Sequence, residues 1–235
     1  MSTQPNSHGA LMDRVYGRQR HFYNLTRRYY LIGRDRLIAG LDLKPGQSVV
    51  EIGCGTARNL IAIALRFPSA RLFGLDASQA MLETARTQVE NAGLAGRIAL
   101  VHGYAEALEP QLFGAAQGFD AAVFSYSLSM IPDWRRALAA ANAALAPAGR
   151  THIVDFGDLV GLGRFGAGAL RLWLRHFHVE PRADILHFLE SAVSAESGTK
   201  LWISPGRYAF LWSGNRFPDR GLANVAGQPQ PAGNS

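Results

Sequence analysis

The stretch Ser48-Val49-Val50-Glu51-Ile52-Gly53-Cys54-Gly55-Thr56-Ala57-Arg58-Asn59 constrains this chain more than any other. An apolar, β-branched run of strand length ends in a Gly-x-Gly turn and passes directly into the helix-favouring Leu60-Ile61-Ala62-Ile63-Ala64-Leu65. A strand apolar at nearly every position is covered on both faces, as in a parallel sheet. Ligands of open α/β sheets bind beyond the carboxyl ends of the strands, so this turn is a candidate nucleotide cradle.

The same alternation continues down the chain. After the Lys44-Pro45-Gly46 turn, strands are expected near 48–52, 71–76, 97–102, 119–125 and 149–156, with helices near 58–67, 78–92 and 133–146. Right-handed crossovers of this kind build a mostly parallel sheet with helices on both faces. Past Phe156 the pattern breaks into a Gly-rich insert, Gly157 to Gly168, followed by helices to about Glu190. Two final strands near 199–203 and 207–213 suit an antiparallel hairpin turning at Pro205-Gly206. The sum is a doubly wound α/β fold on a seven-stranded sheet. With 235 residues and 48% hydrophobic composition the chain is sized for one large domain, expected over 11–215 with a helical insert at 157–190. Residues 1–10 and the Gly/Pro/Asn/Gln-rich 216–235 are expected to be tails.

From Leu11 to about Gly40 the sequence reads as a helix. Tyr16, Arg20, Tyr23, Arg27, Tyr30 and Arg34 recur at steps of four and three, which keeps them on one face of a continuous helix. Two readings stand: a solvated face whose tyrosines pack on neighbours, or a lid whose arginines take a carboxylate or phosphate and whose tyrosines face a cation.

Charge and cysteine usage narrow the class. The net charge of +6 favours an anionic partner, and because only Lys44 and Lys200 are lysines nearly all of it is arginine. No aromatic-rich basic strand or recognised RNA module accompanies it, so no nucleic acid is expected. The single cysteine, Cys54, excludes an internal disulfide and a multi-cysteine zinc site, and a reduced, cytoplasmic setting fits. No basic-then-apolar N-terminal signal and no run near the roughly 20 apolar residues of a membrane span is present. His176, His178 and His187 form no recognisable ligand set, so no metal is expected. No obligate protein partner is evident.

The candidate site residues lie just after the strands. Gly53 and Gly55 leave room for a ligand against the backbone. Asp76 stands about twenty residues beyond the loop, where an acid takes both hydroxyls of a ribose. The third glycine of a G-x-G-x-x-G dinucleotide fingerprint is replaced by Arg58, which argues against NAD. Glu51 is placed instead to organise the loop near a cationic ligand.

Glu-x-Gly-x-Gly followed by a second-strand acid resembles the class I S-adenosylmethionine-dependent methyltransferases. The resemblance implies their Rossmann-like fold, with 11–40 as a helical lid, and S-adenosyl-L-methionine as cofactor. It implies that Gly53 and Gly55 make room for the cofactor's methionine part with Glu51 supporting the loop, that Asp76 binds the ribose, and that Ala77 and Met81 border the adenine. The segment His102-Gly103-Tyr104-Ala105-Glu106 is the other wall, through Tyr104 and Ala105, with Tyr30 and Ser125 completing the cofactor contacts. Ala57 stands where the loop often has a further glycine, small for small.

After the fourth strand comes Phe124-Ser125-Tyr126-Ser127-Leu128-Ser129-Met130-Ile131-Pro132, with Asp133 as N-cap of the next helix. Tyr126 is the expected catalytic residue, a phenol able to exchange a hydrogen bond with a substrate amine and a ring able to face an ammonium. Asp155, near the end of the fifth strand, is expected at the ligand edge; His152, within that strand, reads as hydrogen-bonded structure. In 159–178, Arg164, Arg171, Arg175 and His178 share one helical face opposite Leu170, Trp173, Leu174 and Phe177. That pattern either packs on the domain or docks on an anionic membrane surface.

The segments Met12–Tyr16, His21–Asp35, Glu51–Thr56, Tyr126–Pro132 and Arg207–Trp212 together resemble the bacterial diacylglycerylhomoserine N-methyltransferases of betaine-lipid (DGTS) synthesis. That narrower resemblance implies three successive methyl transfers to the amine of a lipid with an amino-acid headgroup. Tyr16, Tyr23, Arg27 and Asp155 are then the expected substrate contacts, and the enzyme would be peripheral on the inner face of the membrane. A small amine or a quinone-type metabolite is the alternative acceptor, and a non-enzymatic RNA-binding or regulatory role the alternative class.

Overall fold

A computed structural model describes residues 31–175, 181–195 and 198–217. In chain order these form α1 (Arg34–Ala39), β1 (Ser48–Ile52), α2 (Arg58–Arg66), β2 (Arg71–Asp76), α3 (Gln79–Asn91), β3 (Ile98–His102) and β4 (Phe119–Ser125). They continue with α4 (Trp134–Ala144), β5 (Leu145–Phe156), α5 (Gly163–Arg175), α6 (Ala183–Ala195), β6 (Lys200–Ile203) and β7 (Ala209–Asn215). The seven strands make one sheet in the order β3-β2-β1-β4-β5-β7-β6. Strands β1 to β5 pair in parallel, and β7 runs antiparallel between β5 and β6. This is the doubly wound, mostly parallel seven-stranded sheet expected from the sequence. Among the described residues no helix is long and apolar enough to cross a membrane.

Strand β1 sits at the centre because every residue in it is buried. Alternate side chains serve opposite faces: Val49 packs with Leu60 and Ile63 of α2 and Leu82 and Val89 of α3, whereas Val50 and Ile52 pack with Trp134 and Leu138 of α4 and Ile185 and Leu189 of α6. Each such fully buried aliphatic side chain stabilises the fold by about 1.5–3 kcal/mol relative to leaving it exposed. The ring of Phe217 stacks on Trp212 of β7 at 4.7 Å, and Asn142 exchanges hydrogen bonds with the Phe217 backbone.

The expected boundaries shift: β5 begins at Leu145 instead of 149, and α6 runs to Ala195 instead of ending near Glu190. The final hairpin turns through a 3-10 turn, Pro205–Arg207, so β7 starts at Ala209 instead of 207. The Gly-rich insert is helical from Gly163, its glycines lying in the first turns of α5. The long N-terminal helix does not run unbroken to Gly40: Gly33 has φ +93°, a left-handed conformation that starts α1 afresh. A Cβ there would lie 3.1 Å from Val154 and 3.2 Å from Trp202. Tyr16, Tyr23, Arg27 and Tyr30, and the expected tails apart from Arg216 and Phe217, lie outside the described residues; Phe217, expected in the C-terminal tail, is instead buried.

His152 is buried in β5, its Nδ1 2.9 Å from Ser213 Oγ. Burial, with Arg150 adding to it, lowers its pKa from 6.5 to about 4. Between those two values only the unfolded chain takes up the proton, so the contribution of the neutral imidazole to stability falls as pH falls through that window. In His152→Gln, the stability deficit relative to wild type at pH 7 should shrink by up to about 3 kcal/mol as pH drops to 4. Denaturant midpoints at a series of pH values measure this, and a pH-independent deficit would refute it.

Candidate functional site

The cradle forms because the chain leaves β1 in a backbone path open mainly to glycine. Gly53 has φ +71° and Gly55 φ +54°. A Cβ on Gly53 would come within 2.5 Å of Ser127 Cβ, so the glycine lets the loop after β4 close over the end of β1. At Gly55 no atom lies within 4 Å of that position, and the missing side chain leaves open space. Ala57 is also left-handed, φ +62°, and fully buried. A non-glycine residue there carries strain of about 1 kcal/mol, which accounts for the glycine often found at that place.

Asp76 ties the ends of β1 and β2 together. One carboxylate oxygen accepts from the Gly55 N–H at 2.7 Å and the other from the Ser78 N–H at 2.9 Å. Ser78 caps α3 by accepting from the Met81 N–H. Under the loop, Glu51 is 1% exposed and accepts from Asn59 Nδ2 at 2.6 Å. Asn59, on the first turn of α2, is the partner that composition and spacing did not single out. Cys54 lies in the same place, its thiol pushed well up by burial, then by Asp76 and Glu51, which keeps it protonated.

These elements surround an open cleft of about 760 Å3, mouth included. Gly53, Gly55, Asp76, Ala77, Met81, Tyr104 and Ala105 all line it. So do Glu106, at the end of the expected wall segment, and Ser78 and the apolar wall Met130-Ile131-Pro132. His102 fixes the turn between walls, its Nε2 3.0 Å from the Ala77 carbonyl. Although the chain is basic overall, among the described residues the cleft is lined by two carboxylates, Asp76 and Glu106, and by no lysine or arginine. Glu51 and Ser125 border a smaller adjoining recess with Arg34, Arg58 and Asn59, and the Gly53 and Gly55 backbone joins the two spaces. The buried Ser125 Oγ has no hydrogen-bond partner, an orphan of the kind a bound polar ligand satisfies.

Two expected residues have different jobs from those read in the sequence. Tyr126 lines the cleft, but its backbone is left-handed at φ +55° and its hydroxyl donates to the Ile32 carbonyl. Its ring meets Phe156 edge-on at 4.7 Å. Burial, and next the Asp155 carboxylate, push the phenol far above its ordinary pKa, so it is no base at neutral pH. The geometry makes Tyr126 a positioning residue that tethers the segment before α1 to the cleft. Asp155 is fully buried and does not line the cleft. Its oxygens accept from the Ser129 N–H at 2.9 Å, the Ser129 hydroxyl at 2.7 Å and the Phe156 N–H at 2.8 Å. Burial raises its pKa to about 6 against those lowering bonds. Asp155 anchors the loop after β4. Tyr126→Phe should lower stability by about 0.5–1.5 kcal/mol, because the hydrogen bond to the Ile32 carbonyl is lost, and leave the pH profile of any activity unshifted. A profile that moves would return the phenol to proton transfer.

Comparison with known proteins agrees with this geometry. The family model described as a methyltransferase domain matches residues 49–149. Demethylmenaquinone methyltransferase of Corynebacterium glutamicum is 32% identical over 212 residues, covering 86% of this chain and 84% of that protein. Demethylmenaquinone methyltransferase of Geobacillus kaustophilus is 30% identical over 129 residues, 54% of this chain and 53% of that protein, so the match spans about half the length of that relative. An S-adenosylmethionine-dependent methyltransferase from Thiobacillus denitrificans, solved in complex with S-adenosyl-L-homocysteine, shares the fold with a TM-score of 0.55 at 21% identity, over 77% of this chain and 74% of that one. The chain belongs to the class I S-adenosylmethionine-dependent methyltransferases.

Proposed function

We propose that this protein is an N-methyltransferase acting on the amine of a diacylglyceryl-homoserine headgroup. The observation that carries the proposal is the charge of the cleft: among the described residues two carboxylates and no basic side chain line it, in a chain of net charge +6. A cleft of that sign favours cations, and both the sulfonium of the cofactor and an alkylammonium acceptor are cationic. The segment Tyr126–Pro132, which carries part of the sequence likeness to the betaine-lipid enzymes, is a wall of this cleft.

The residues present fit S-adenosylmethionine. Asp76 would hold the ribose hydroxyls, Ala77, Met81 and Ala105 would enclose the base, and Gly53 and Gly55 would admit the methionine part, with Glu51 and Ser125 beside it. When bound, this group supplies an electrophilic methyl on sulfur. The remaining task of the protein is to orient an acceptor and keep water out, and the apolar Met130-Ile131-Pro132 wall suits that task. The acceptor nitrogen must be neutral to attack, so each round sheds one proton, and after the third the nitrogen is permanently charged.

A second reading rests on the demethylmenaquinone methyltransferases among the relatives: a quinone-type acceptor, methylated at carbon. Incubation with methyl-labelled S-adenosylmethionine and, in parallel, a homoserine-lipid extract, soluble amines and demethylmenaquinone separates the two. Label is expected in a trimethylated lipid; label in the quinone alone would overturn the proposal. Asp76→Ala should raise the Kd for S-adenosylmethionine by about tenfold or more, read by calorimetry. An unchanged Kd would remove Asp76 from the ribose site.

A further inference from the structure

The helix α5 carries apolar side chains on two opposite stripes. Ala167, Leu170 and Leu174 form the inner one, with Ala167 and Leu174 buried in the core beside α1 and α2. Trp173 does not join them, contrary to the wheel drawn from sequence. The outer stripe faces solvent: Phe165 is 95% exposed and Leu172, seven residues on, is 72% exposed. Val160 at 71%, with Leu162 and the edge of Trp173, extends the patch. Five of the nine large apolar side chains exposed among the described residues thus fall between 160 and 173, and the other four are scattered. A contiguous patch of this kind marks an interaction surface.

The charge of the segment selects the partner. Between Asp158 and Glu180 the sequence holds Arg164, Arg171, Arg175, His176 and His178 and no acidic residue. In the sequence the three arginines recur at intervals of seven and four. Arg171 is exposed, with one guanidinium nitrogen donating to the Asp158 carbonyl at 3.2 Å, which fixes it at the border of the patch. Phenylalanine, leucine and tryptophan flanked by arginines, on a helix of modest overall hydrophobicity, suit shallow insertion among anionic headgroups. The position suits it too. The segment leaves the carboxyl end of β5, the sheet edge at which the cleft opens, and Arg207 clamps its start through Asp158 at 2.8 Å.

We propose that the outer face of α5, with Val160 and Leu162, docks this protein on an anionic phospholipid bilayer. Docking there would set the cleft against the membrane surface, where a lipid headgroup reaches it without its chains leaving the bilayer. The inference does not rest on the acceptor proposed above.

The test is co-sedimentation with vesicles of phosphatidylglycerol and phosphatidylcholine that contain no acceptor lipid, compared with phosphatidylcholine alone. Binding to the anionic vesicles, weakened by salt, is expected. The double variant Phe165→Asp, Leu172→Asp should lose about tenfold or more of it while keeping its Tm and its affinity for S-adenosylmethionine. No binding by the wild type, or equal binding by the variant, would overturn the proposal. A variant that turns from dimer to monomer by light scattering, or whose Tm falls, would also overturn it, by giving the face to a second copy or to another part of the chain. Vesicle binding without methyl transfer to the homoserine lipid leaves docking standing and sinks the acceptor; transfer in detergent without vesicle binding does the reverse.

Discussion

The Asp76 carboxylate, accepting from the backbone N–H groups of Gly55 and Ser78, closes the ends of β1 and β2 over one another, and the rest of the site is built on that junction. Charge-assisted bonds to backbone donors are roughly twice as strong as neutral ones, and they keep a carboxylate ionised. The glycines extend the junction toward β4. Because Gly53 has no Cβ, Ser127 closes over it and donates to the Ile52 carbonyl at 2.7 Å. Three strand ends meet here, and the cleft is the space they leave.

A second set of buried polar contacts holds the acceptor wall. Asp155 takes three hydrogen bonds from Ser129 and Phe156, and Tyr126 reaches across to the Ile32 carbonyl. Removing the Asp155 carboxylate would leave the donors of Ser129 and Phe156 without their acceptor. The wall Met130-Ile131-Pro132 is thereby fixed from below by β5 and from the side by the segment before α1. Beyond β5, the chain turns outward at Asp158 and Arg207, so the sheet edge that forms the cleft also carries α5.

The cofactor half of this arrangement was legible because it is local. The apolar run, the two glycines and the second-strand acid each state a backbone requirement within a few residues: burial on both faces, a left-handed turn, a carboxylate beside backbone donors. Asn59 escaped notice because its role depends on Glu51 lying beneath the first turn of α2, and the order of residues does not say which polar groups of the loop meet. Tyr126 and Asp155 were placed at the correct strand ends and given other roles, since being near a ligand edge does not fix where a hydroxyl or carboxylate points. Their partners, Ile32 and Ser129, lie 94 and 26 residues away in the chain. Gly33 could have been found: a glycine inside a helical pattern is a recognised break.

By itself the sequence determined the layering of the sheet, the family cradle after β1 and the basic character of the chain, because each follows from residue types at fixed short spacings. Only the tertiary structure decided which stripe of α5 packs inward, which carboxylates face the cleft and which is sealed beneath its wall. A helical wheel places side chains around an axis but does not say which side meets the core, and a buried acid and a cleft acid have the same spacing from a strand. Those choices were made by packing between elements far apart in the chain: Ala167 and Leu174 settling on the core beside α1 and α2, and Ser129 folding back onto Asp155.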